Sequence, residues 1–201
     1  QTNKHFNILN EYTDRQNQII QESIQLIADK GIQGLTIKNI SKAIGISEPA
    51  IYRHFENKDD IILAIISTMK QTTEEELSHV DENNPTIDKI KKMIQGHTNR
   101  FIKNPSLTAI IFSEEIFNNN SILAKPIRIM MKLNQNKLIA MIEKGQASGD
   151  VRVDIQAEQI SLMVIGSFRF LVSKWHIMNF DFDLKNDVNE MLNAIEKVLK
   201  T

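Results

Sequence analysis

The sequence predicts an all-α protein of about nine helices. Three observations carry this. Apolar residues recur at helical spacing through most of the chain, as in Ile20, Ile24 and Ile27 or in Ile87, Ile90 and Ile94. Alternation with period two, the mark of a half-buried strand, persists nowhere. Between the apolar runs stand helix punctuators: Ser, Thr, Asp or Asn at starts, glycine at stops, and proline just inside new helices.

Composition bounds the remaining choices. A chain of 201 residues can bury a substantial core in one or two domains. Its net charge of −1 advertises no global attraction for nucleic acid. It has no cysteine, which removes disulfide, zinc-thiolate and cysteine-nucleophile chemistry together. No run of about 18 apolar residues exists, and the N-terminus lacks a basic-then-apolar leader pattern. No membrane partner is therefore expected, and a cytoplasmic location is. The chain begins with Gln1, so its natural start is expected upstream.

Residues 1–12 are polar without periodicity and read as a disordered arm or an expression remnant. A helix is expected from Thr13 or Asp14 to Lys30, stopped by Gly31, with Ile20, Ile24 and Ile27 inward. The stretch Leu35–Ile62 organises the rest. Thr36 is placed to cap a short helix whose inner stripe is Ile37, Ile40 and Ala43–Ile44. Gly45 falls where a left-handed residue ends a helix. Ser47 is expected to cap a second helix, with Pro49 tolerated in its first turn and Ala50, Ile51 and Phe55 inward. Asn57 should open a third, with Asp60 as its capping-box partner. A helix, a tight glycine turn and a second helix form the arrangement that places the second helix in a DNA major groove.

Through residue 70 the lysines and arginines are matched one for one by acids. Attraction for phosphate must then come from placed groups, not net charge. Mixed charges usually form a solvated face. Here Lys38, Lys42, Arg53, His54 and Lys58 flank a helix-turn-helix, which favours DNA.

The run Ile40-Ser41-Lys42-Ala43-Ile44-Gly45-Ile46-Ser47, then Ala50-Ile51-Tyr52-Arg53-His54-Phe55, then Lys58, resembles the DNA-binding segment of TetR/AcrR-type bacterial transcriptional regulators. The likeness reaches back through Thr36 and Gly31. It departs at Ser41 and Ile44, where small alanines are commoner. The resemblance implies that Thr36, Tyr52, His54 and Lys58 touch the DNA backbone. Lys38, Ser47, Glu48, Pro49, Ala50 and Arg53 complete the candidate DNA-binding set, with Arg53 able to read guanine or to hold a phosphate.

Beyond this motif a long helix should run from Lys58 to about His79, with Ile61, Ile62, Ile65, Ile66, Met69 and Leu77 inward. Pro85 and Pro105 each start a further helix, the second continuing through Leu107, Ile110, Ile111 and Ile116. After an Asn118–Ser121 linker, a helix should run from Ile122 to near Ala147, with Pro126 in its first turn or so. Asp154 is expected to cap a helix reaching about Asn179, and Asp183 the last one.

Phenylalanine, methionine and tryptophan on the middle helices are the candidates for an effector pocket: His97, Phe101, Phe112, Phe117, Met130, Phe168, Arg169 and Trp175. Taken singly, each is more commonly core. The pocket follows from the resemblance, since many such regulators lose DNA affinity when a ligand enters there. Arg169 lies in an apolar run and is expected to face solvent, to pair with Glu114 or Glu115, or to meet an anionic ligand. The resemblance also implies that the last two helices pair with their copies in a second subunit. The expected contacts are Ile160, Val164, Ser167, Leu171, Val188, Met191, Leu192 and Ile195.

The domains expected are 13–58, a helix-turn-helix DNA-binding domain, and 59–201, a helical ligand-binding and dimerisation domain. The function implied is a homodimeric DNA-binding regulator, a repressor released from its double-stranded operator by a small-molecule effector. The alternative is a nucleoid-occlusion factor of the same fold, faintly resembled by Asn104-Pro105-Ser106-Leu107-Thr108. No cofactor or metal is expected. The five histidines stand singly, and neither a phosphate-cradling glycine loop nor a nucleophile elbow is present, so an enzyme is not expected.

Overall fold

The computed structural model describes residues 12–78, 84–112 and 121–200, with side chains for 12–68, 84–112 and 123–200. The expected N-terminal arm lies outside the described residues. Nine α-helices are present among the described residues, with no strand. They form two units, 1–67 and 68–201.

In the first unit, α1 (Asp14–Lys30) opens on a reciprocal capping box. Thr13 Oγ1 accepts from the Gln16 amide at 3.3 Å, and Gln16 Oε1 accepts from the Thr13 amide at 2.9 Å. A 3₁₀ turn, Ile32–Gly34, leads to α2 (Ile37–Ile44), capped by Thr36 through the Asn39 amide at 3.1 Å. Gly45 ends α2 at φ 76°, where a Cβ would be strained. Gly45→Val should therefore lower stability by about 1–2 kcal/mol, and Gly45→Asn by less, measured as urea midpoints.

α3 (Glu48–Tyr52) follows without the expected side-chain cap. Pro49 removes the second-position amide, and the Ala50 amide donates instead to the Ser47 carbonyl at 2.9 Å. α4 (Lys58–Ser78) is capped by Asn57, whose Oδ1 accepts from the Asp60 amide at 3.0 Å. Ile19, Ile20, Ile27, Leu35, Ile40, Ile51, Phe55, Ile61 and Ile65 make the core. Ala43, expected inward, is exposed, and Ser41 is buried in its place. Its hydroxyl donates to the Lys38 carbonyl at 2.9 Å, so a small polar residue fits where α2 meets its neighbours. The first unit extends to residue 67 rather than 58, because Ile61, Ile62, Ala64, Ile65 and Ile66 of α4 are buried. The side chains of Met69 and Leu77 lie outside the described residues.

The second unit contains α5 (Thr86–Lys103), α6 (Leu107–Ile111), α7 (Ser121–Ala147), α8 (Ala157–Ile177) and α9 (Leu184–Leu199). α5 packs on α7 and α9, α8 on both of those, and α6 on α8. Pro85 holds the cap position before α5. The cap itself comes from far along the chain: the Asp150 carboxylate accepts from the Thr86 amide. Nearby, a Cβ on Gly145 of α7 would stand 2.5 Å from Thr86 Oγ1 and 2.8 Å from Val151 Cγ2. Gly145→Val should cost about 1–3 kcal/mol by overpacking, read as a lowered Tm.

Pro126 lies within α7, beyond its first turn, because that helix begins at Ser121. Asp154 does not cap α8. It forms a two-bonded ion pair with Arg152 at 2.6 and 2.7 Å, and Gln156 stands at the cap position without a side-chain bond. α8 ends at Ile177, two residues earlier than expected, where Asn179 and Phe180 turn the chain at positive φ. Asp183 does cap α9, accepting from the Asn186 amide at 3.1 Å. Ile116 and Phe117 lie outside the described residues.

Candidate nucleic-acid interface and effector cavity

The α2–α3 unit presents a compact polar face. Ile51 is fully buried and Phe55 nearly so, which fixes the rotation of α3. Ser47, Glu48, Pro49, Tyr52 and Arg53 are consequently exposed, with Ala50 and His54 half-buried. Tyr52 leaves 52% of its surface in solvent, so its ring and hydroxyl are open to a partner. Thr36 and Lys38 are exposed on α2, and Lys58 is half-buried at the start of α4. The turn is closed by the Gly45 and Ile46 amides, which donate to the Ser41 carbonyl at 2.9 and 3.0 Å. α3 spans five residues only, so Arg53 stands at its C-cap and His54 just beyond it. One residue was not legible in the sequence. Gln16 Nε2 donates to the His54 carbonyl at 3.3 Å, tying the start of α1 to the end of α3. Its spacing from His54 carries no periodic signal.

The second unit holds a cavity of about 710 Å³ between α5, α6, α7 and α8, open to solvent past Arg128, Lys132 and Leu162. His97, Phe101, Phe112, Met130, Phe168 and Arg169 all line it, as expected from the sequence. Trp175 does not. It is buried elsewhere, where its indole donates to the Phe182 carbonyl at 3.1 Å and Phe180 meets its ring edge-on at 4.6 Å. Three cations that sequence reasoning missed, Arg100, Arg128 and Lys132, also reach the cavity. A signal existed: Arg100 is three residues after His97, and Lys132 four after Arg128, so each pair shares a helix face. Among the described residues no carboxylate lines it.

His97 and Phe101 each pack against Phe168 with ring centroids 6.3 Å apart. The Arg100 guanidinium lies 3.3 Å from His97 Nδ1. Arginine has only donors, so Nδ1 accepts and the imidazole proton sits on Nε2. Burial first, then Arg100, lowers the His97 pKa to about 4, so the ring is neutral near pH 7. Stability then depends on pH with a definite sign. Above the unfolded value of 6.5 both states leave the ring neutral. Between 6.5 and about 4 only the unfolded chain takes the proton, so stability falls as pH falls, by up to about 2–3 kcal/mol. His97→Leu should flatten the drop in Tm between pH 7.5 and 5.0. An equal drop in both proteins would contradict the assignment.

Arg169 is half-buried on α8. Its guanidinium carbon sits 5.1 Å from the centre of the Phe112 ring, and Nη1 lies 3.9 Å from Met131 Sδ. Burial lowers its pKa from the ordinary value. Glu114 and Glu115, the acids considered for it, lie outside the described residues.

The expected subunit contacts divide. Ile160, Val164, Val188 and Leu192 are buried in this chain's own core and leave no surface for a second subunit. α8 is apolar nearly all round, and its inward stripe packs against α7 and α9. Ser167 is exposed, and Leu171, Met191 and Ile195 are half-buried. Exposed apolar surface lies instead on Leu162, Met163 and Phe170, which leave 60, 43 and 68% of their surface in solvent. Gly166, Ser167, Phe170 and Leu171 of α8 face Asp187, Glu190, Met191 and Ala194 of α9 across a shallow groove. α8 is also long and apolar enough to cross a membrane, with a mean hydropathy of 1.2 and 33% of that window buried. That is weak evidence for insertion, since a helix shared between two packed surfaces has the same composition.

Comparison with known proteins decides the family. Residues 19–65 match the model for bacterial regulatory proteins of the tetR family, and residues 63–198 match the C-terminal region of YsiA-like proteins. This chain belongs to the TetR family. A fatty acid metabolism regulator protein of Bacillus subtilis is 26% identical over 183 residues, spanning 90% of this chain and 92% of that one. The nucleoid occlusion factor SlmA of Glaesserella parasuis is 27% identical over 145 residues, 69% of this chain and 72% of that one. Among solved structures, FadR of Bacillus subtilis in complex with stearoyl-CoA superposes with a TM-score of 0.74 at 23% identity, covering 89% of this chain and 96% of that chain. The chain is thus a DNA-binding transcriptional regulator and not an enzyme, with a TetR-type helix-turn-helix followed by a helical ligand-binding domain.

Proposed function

We propose that this TetR-family chain is a cytoplasmic homodimeric repressor, released from its operator by an effector with a long apolar chain and an anionic head, of the acyl-coenzyme A class. One observation carries the reading: an apolar cavity of about 710 Å³ that, among the described residues, is lined by four cationic side chains and no carboxylate. An apolar chain gains from leaving water, and an anionic head balances the half-buried guanidinium groups of Arg100 and Arg169. The stearoyl-CoA complex of the structural relative agrees in ligand chemistry.

In the dimer, Met163, Ser167 and Phe170 of α8 face their copies, with Met191 of α9 beside them. Two α3 helices then enter successive major grooves about 34 Å apart on a near-palindromic operator. Tyr52, Lys58 and Thr36 hold phosphates, while Arg53 reads a base edge or a phosphate.

The test is to titrate palmitoyl-CoA into the protein bound to DNA upstream of its own gene. Release at micromolar ligand is expected. DNA affinity that stays constant across the acyl-CoA series from four to eighteen carbons, roughly the span a cavity of this class admits, would end the ligand-relief reading. The likeness to SlmA supports a second reading, control of cell division from the nucleoid. Genome-wide binding at many dispersed sites, rather than at a few promoters, would favour it.

A further inference from the structure

We infer that Arg169 is the residue through which the cavity distinguishes charged from uncharged amphiphiles, and that it binds an anionic head by exchanging the face of Phe112 for the ligand's oxygens. The inference rests on the effector reading above and deepens it.

The four cations of the cavity differ in what already surrounds them. Lys132 is exposed, so water screens it. Arg100 is engaged by His97 Nδ1, and Arg128 also has a partner. Arg169 is half-buried, and among the described residues it meets an aromatic face and a thioether sulfur. Both are soft neutral partners that use little of the hydrogen-bonding fork. A guanidinium carries five donors arranged to meet a carboxylate or phosphate two at a time. Those donors are therefore held ready, at the edge of an apolar chamber, by contacts weaker than the one an anion would offer. Neutral His97 adds no competing charge.

Phe112 gives the exchange a consequence. It stands at the C-cap of α6, and its ring meets Arg169 of α8. Further back on α6, Thr108 Oγ1 lies 2.8 Å from His176 Nδ1 of α8. An anion that draws Arg169 away loosens the end of α6 that lines the cavity and leaves the Thr108 tie in place. An uncharged amphiphile fills the same volume without disturbing Phe112. Occupancy and release of DNA thus become separable.

Three probes of equal chain length test this: decanoyl-CoA, decanoate and 1-decanol, measured by calorimetry on the full chain and by operator release. The two anions distinguish a phosphate-bearing head from a carboxylate. Wild type should bind at least one anion about tenfold or more tightly than 1-decanol. Arg169→Met should lose that preference while keeping its affinity for 1-decanol, which reports an intact cavity. Arg169→Lys should recover part of it, since a point charge replaces the fork. Phe112→Leu should bind the anion at least as tightly as wild type but show a weakened link between binding and operator release. Equal affinity of wild type for 1-decanol and both anions overturns the inference while leaving the cavity reading intact. Unchanged anion preference in Arg169→Met does the same. Failure of all three probes, and of palmitoyl-CoA, to bind wild type removes both.

Discussion

Phe170→Asp is expected to hold the protein as a monomer at micromolar concentration and to weaken operator binding by about a hundredfold or more. Phe170 leaves 68% of its surface in solvent within one chain, so the substitution should spare the fold. Far-UV circular dichroism and Tm should match wild type within experimental error. In a dimer the same side chain would meet its copy beside Ser167 and Met191, and two carboxylates there would lose burial and gain repulsion. The effect on DNA is large because the first unit carries no net positive charge. It lacks a general field to hold it on the duplex, so one copy alone must rely on a few placed groups. Joining two such copies multiplies weak affinities through effective concentration. Sedimentation that shows a Phe170→Asp dimer with native DNA affinity would place the interface elsewhere.

The second large effect concerns the reading face. Arg53→Ala should cost about 1–3 kcal/mol per half-site, and twice that where two copies bind one operator. Tyr52→Phe removes a hydroxyl only, and about 0.5–1.5 kcal/mol per half-site is expected. The pair distinguishes two roles for Arg53. If the guanidinium reads a base, Arg53→Ala relaxes sequence preference at one position. If it holds a phosphate, affinity falls equally on all sequences and the salt slope decreases by about one per half-site. Operator binding unchanged in both variants would show that α3 presents a different face to DNA. Gln16→Ala offers a subtler comparison. It removes both the bond to the His54 carbonyl and the Gln16 half of the α1 capping box without touching the exposed face, so any loss of DNA affinity reports positioning rather than contact.

Much of this was written locally in the chain. Thr13, Thr36, Asn57 and Asp183 cap helices as their sequence context implies, because a cap bonds to an amide two or three residues away. Gly45 adopts the left-handed turn its position demanded. Where local logic failed, a competing local interaction usually explains it. Pro49 removed the amide that Ser47 would have capped, and Arg152 claimed Asp154 before α8 could.

The amino-acid sequence by itself determined the all-α class, the helix-turn-helix, and the exposed set around Tyr52 and Arg53, since these follow from period and short-range bonding. The tertiary structure decided everything that depends on which helices face each other. α8 is apolar on several sides, and periodicity alone could not say that Ile160 and Val164 turn inward while Met163 and Phe170 turn out. Nor could it say that Arg100 of α5 and the Arg128–Lys132 pair of α7 converge with Arg169 of α8 on one cavity. A helix repeats every 3.6 residues whatever packs against it, so the sequence carries the spacing of a face but not the identity of its neighbour.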